Sequence, residues 1–102
     1  MAIKYEDQFQ PSGTFVVAAT PAATTVVLGF VPSYVKVQNV TTILQQEHFE
    51  GMADASALLT TGSTGAVTIP TTNGITLTTT GFTVGTGVQG SADDVIYWVA
   101  FR

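Results

Sequence analysis

The chain has 102 residues and a mass of 10.6 kDa, enough for one domain and too little for two independent cores. Hydrophobic residues make up 45% and charged residues only 10%, against roughly 25% charged in a typical soluble domain, which excludes a disordered chain. The net charge is -4, and three scattered cations, Lys4, Lys36 and Arg102, cannot build the basic footprint of a nucleic-acid or anionic-membrane binder, so neither partner is expected.

Without cysteine there is no disulfide framework, no thiolate nucleophile and no cysteine-held zinc or iron–sulfur site. The first ten residues, MAIKYEDQFQ, have no apolar stretch of signal-peptide or membrane-span length, so synthesis in the cytoplasm is expected. So few charges also suggest that part of the surface is covered by copies of the chain or by a larger assembly.

Residues 1–12 read as an extended N-terminal arm, with residues 13–102 as a single β-domain. The arm carries Ile3, Tyr5 and Phe9 at alternating spacing, and 12 extended residues reach roughly 40 Å, so these three side chains are candidates for contact with a neighbouring copy. From there the period is two. Residues 14–19 (TFVVAA), 24–30 (TTVVLGF), 34–40 (YVKVQNV), 66–69 (AVTI), 75–79 (ITLTT), 82–84 (FTV) and 95–101 (VIYWVAF) predict strands rich in β-branched residues.

Residues 43–52 (ILQQEHFEGM) hold no clean helical period and read as strand, while residues 53–59 (ADASALL) predict a helical turn capped by Asp54. Asn73-Gly74 predicts a tight reversal that folds residues 66–69 onto 75–79. Short strands about ten residues apart define an all-β fold, a small antiparallel sandwich or barrel of jelly-roll-like type.

Residues 85–90 (GTGVQG) match a dinucleotide-binding fingerprint letter for letter. That motif requires a following helix to hold the pyrophosphate, and the residues here lead into a strand, so the segment reads as a flexible loop and no cofactor is expected. Glu47, His48 and Glu50 lie close together, but alternation puts Glu47 on the opposite face from the other two, leaving too few ligands for a metal. His48 reads as a structural or surface residue. No nucleophile and base are paired, so no catalytic residue is assigned and no enzyme is expected.

The last strand is apolar on both faces, with Val95, Tyr97, Val99 and Phe101 on one and Ile96, Trp98 and Ala100 on the other. The odd-numbered set is assigned to the core. The even-numbered set, Ile96 and Trp98 foremost, is assigned to a second layer or a subunit contact.

The segments GFVPSYVKVQN (29–39), EHFEGM (47–52), NGITL (73–77), GFTVGT (81–86) and IYWVAFR (96–102), in that order, resemble small head decoration, or cement, proteins of tailed bacteriophages. The likeness spans about three quarters of the chain and departs from the pattern at His48, where such proteins place a larger aromatic. It implies a virion protein on the capsid exterior, a homo-oligomer, commonly a trimer, that bridges subunits of the major capsid protein. The alternatives are a receptor- or carbohydrate-binding domain of a tail fibre or spike, and another virion component such as a tail-tube protein.

Overall fold

A computed structural model describes residues 2–4 and 12–102. The chain is all-β, with no helix among the described residues. Ten strands follow in order: β1 (Ala2–Lys4), β2 (Ser12–Val16), β3 (Thr24–Val27), β4 (Tyr34–Asn39), β5 (Leu44–Phe49), β6 (Leu58–Thr61), β7 (Ala66–Thr68), β8 (Ile75–Thr78), β9 (Gly81–Val84) and β10 (Val95–Phe101).

Two sheets pack face to face. The larger has six antiparallel strands in the order β2-β10-β4-β5-β6-β7. The smaller has the antiparallel strands β3-β9-β8, with β1 added parallel to β3 at its edge. Strand β4 shows why: Val35, Val37 and Asn39 are fully buried, while the alternate positions Tyr34, Lys36 and Gln38 are only half-buried. Alternation of this kind gives each sheet one face for the core and one for the outside. Phe15, Val35, Val37, Ile96, Trp98 and Ala100 from the larger sheet meet Val26, Ile75, Phe82 and Val84 from the smaller.

Strand β10 corrects the face assignment made from sequence. Ile96, Trp98 and Ala100 point into the core, whereas Tyr97 and Phe101 are exposed and Val95 and Val99 half-buried. The cause is register. Val99 pairs with Lys36 and Trp98 with Val37, and antiparallel neighbours share a face. Lys36 must reach water, so the odd-numbered residues of β10 go outward with it.

The reversal expected at Asn73-Gly74 does not form. Asn73 takes a positive φ of 59°, but Gly74 does not follow it, and the segment crosses from one sheet to the other. Strand β7 pairs instead with β6 across Gly62–Gly65, and β8 pairs with β9 across Thr79 and Thr80. Gly81 opens β9 where the backbone of β3 passes so close that a Cβ would collide with the Val26 carbonyl. The helical turn expected over 53–59 is also absent. Ser56 turns back on Ala53, its N–H and Oγ both donating to that carbonyl at 3.2 and 2.6 Å, and Leu58 and Leu59 enter β6.

Candidate interaction surface

Behind the outer surface lies a polar layer that holds the two sheets in register. His48 is buried on the inner face of β5, and its Nδ1–H donates to the Ser56 carbonyl at 2.9 Å. Asn39 Nδ2 donates to the carbonyls of Val88 and Gln89 at 3.1 and 3.0 Å and to Asp94 Oδ2 at 3.1 Å, while its Oδ1 accepts from the N–H groups of Thr41 and Thr42. Gln89 Nε2 donates to the carbonyls of Ala22, Val84 and Gly85 at 2.7, 3.2 and 3.1 Å. The GTGVQG segment is therefore a loop pegged by a fully buried glutamine, rather than a flexible one, and it feeds β10, a strand. Gln46, beside His48 on the inner face, is fully buried with neither amide atom hydrogen-bonded.

These groups lie between the sheets, and the outer face of the six-stranded sheet is what the larger sheet presents to its surroundings. Its residues fall into rows across the strands. Phe101, Tyr34 and Phe49 form one, with Tyr34 stacked on Phe101 at 5.6 Å between centroids and tilted against Phe49 at 5.1 Å. Val99, Lys36, Glu47 and Leu58 form the next, and Tyr97, Gln38, Gln45, Thr60 and Val67 the third.

The carboxylate of Glu47 accepts from the Tyr34 hydroxyl at 2.6 Å and from Gln45 Nε2 at 3.4 Å. Burial, and then the adjoining Glu47 carboxylate, push the Tyr34 phenol well above the ordinary tyrosine range. A shallow open depression of about 260 Å³ lies beside Tyr97, lined by Lys36, Gln38, Trp98 and Val99. Val16, Phe49, Val67, Tyr97 and Phe101 are all more than one third exposed on this face, which has Lys36 and Glu47 as its only charged residues in the three rows.

The five candidate contact residues are thereby separated. Ile96 and Trp98 lie between the sheets, Ile96 completely buried and Trp98 edge-on to Phe82, so neither presents a contact surface. Ile3 lies in β1, its backbone in register with Val26 of the same chain, and Ser12 opens β2. Tyr5 and Phe9 fall outside the described residues. The outward set that the sequence reading gave to the core, Tyr97, Val99 and Phe101, supplies the exposed apolar surface instead. The signal that finds it is Lys36, the one cation in the strand beside them.

Among the described residues no group of three or more His, Asp or Glu side chains could hold a metal ion, and no helix is long and apolar enough to cross a membrane. No known protein family, curated protein or solved structure matches the chain in sequence or fold comparison.

Proposed function

We propose that this chain is a structural virion protein, a capsid decoration or cement protein that binds the exterior of a phage head and bridges subunits of the major capsid protein. The observation that carries the reading is the broad outer face of the larger sheet, where five exposed apolar side chains surround one cation and one anion. A face with this much exposed apolar area and so little charge is suited to being covered by protein. The ordered segments that resemble cement proteins supply the particular particle and site. In this reading the work is mechanical: many weak, identical attachments add up through avidity, and binding the mature shell in preference to its precursor stabilises it by mass action.

Cosedimentation with cognate capsids that lack the protein tests this. The protein should pellet with the shells, saturate at a fixed number of copies per capsomer and raise the temperature at which the shells break. Failure to pellet at any concentration would remove the proposal.

A further inference from the structure

The outer face of the six-stranded sheet carries a pattern that a second copy of the same face satisfies. With the order β2-β10-β4-β5-β6-β7, the midline falls between β4 and β5, three strands on either side. Directly across that midline Tyr34 pairs with Phe49, Lys36 with Glu47 and Gln38 with Gln45: ring beside ring, cation beside anion, amide beside amide. One strand further out, Val99 on β10 extends the Lys36 row, and Leu58 on β6 extends the Glu47 row.

A twofold axis along this midline, in the plane of the face, exchanges β4 with β5 and β10 with β6. It lays Lys36 of one copy over Glu47 of the other, Tyr34 over Phe49, Gln38 over Gln45 and Val99 over Leu58. Each contact occurs twice, as an isologous interface requires. We propose that the protein forms a closed face-to-face dimer through this surface.

Aligned sheets pack within about 30° of one another, and the axis bisects that angle. An apolar partner of another kind would bury Lys36 and Glu47 with only each other as counter-charge, whereas a second copy gives each a second one and closes the four into a ring of alternating sign. At ~4.8 Å between strands and ~3.4 Å per residue the face measures roughly 25 by 20 Å, or about 1,000 Å² over both copies. That is the threshold of a specific interface, so association is concentration-dependent. The inference rests on the proposed function only in treating this face as a protein contact, and it names a second copy as the protein that covers it, which leaves the capsid to be met by the rest of the domain. It replaces the trimer that the resemblance implies with a closed pair.

Sedimentation velocity from about 1 to 200 µM, a range suited to an interface of threshold size, should show a monomer–dimer equilibrium. Lys36→Glu makes the centre of the face wholly acidic and Glu47→Lys makes it wholly basic. Each variant, checked for native circular dichroism, should dimerise about tenfold or more weakly, and an equimolar mixture of the two should recover a heterodimer. A wild type that stays monomeric or forms a trimer overturns the proposal, as do single variants that dimerise like the wild type.

Should a variant fail to fold, carbodiimide cross-linking of mixed ¹⁵N-labelled and unlabelled wild type decides instead. A Lys36–Glu47 linkage between labelled and unlabelled chains is expected, and its absence overturns the pair. A monomer that still pellets with capsids sinks the dimer alone. A dimer that never pellets sinks the virion reading alone.

Discussion

The indole of Trp98 stands edge-on to the ring of Phe82, with centroids 5.4 Å apart and planes at 71°, and so joins β10 of the larger sheet to β9 of the smaller. Edge-to-face pairs add to the area the two rings bury, and this one lies at the centre of the sandwich. Trp98→Ala should cost about 3–5 kcal/mol, a large share of the ~5–15 kcal/mol that holds a small domain together. Urea denaturation checks it. A loss below about 1 kcal/mol would mean that the two sheets are not joined there.

His48 is a second buried contributor. On an exposed strand its replacement would change stability by less than about 0.5 kcal/mol, but it is 1% exposed and hydrogen-bonded to the Ser56 carbonyl. His48→Ala should therefore destabilise by about 2 kcal/mol, combining a cavity with the loss of one of the two hydrogen bonds that the Ser56 carbonyl accepts, the other coming from the Ile75 N–H at 3.1 Å. Equal melting temperatures for His48→Ala and wild type would contradict its place in the polar layer.

Gln46 should respond in the opposite direction. Its amide is buried without a hydrogen bond, and Gly87 packs so near that a Cβ there would sit 2.9 Å from Nε2. Replacing it by methionine, of similar shape and without polar hydrogen-bonding demand, should stabilise the fold by about 1 kcal/mol or more. A clear drop in the denaturation midpoint would show that the amide is hydrogen-bonded in the folded protein.

Tyr34 gives a pH signature. Its phenol is raised from 10.0 by burial and by Glu47. An unfolded chain then releases this proton before the folded one does, so the stabilisation is complete below about pH 10 and falls as pH rises toward the folded value. Denaturation midpoints should decline above about pH 10, and Tyr34→Phe should decline less steeply there. Identical slopes would remove the Tyr34–Glu47 bond as their cause.

What could be read in the sequence follows from where side chains advertise a face. Strand β4 was legible because Lys36 and Gln38 alternate with Val35 and Val37. Strand β10 was legible as a strand but not as to its faces, since both are apolar and only pairing with β4 decides between them. On β5 the inward positions are Gln46 and His48, so hydropathy gives no sign that they are buried. Their partners across the ladder, Val37 and Val35, carry that information, and the ladder is a long-range fact. The Asn73-Gly74 signal failed because Ala66–Thr68 is exposed at all three positions and has no buried face to bind it to β8. The exposed apolar outer face was missed for the same reason as the faces of β10.

The proposal that this sandwich is a part of the virion shell is open to direct observation. A cryo-electron-microscopy map of the native particle tests it most directly. Density for the two-sheet domain is expected on the outer surface of the head, seated where major capsid subunits meet. Density for this chain in the tail, or a particle from which it is absent, would contradict it.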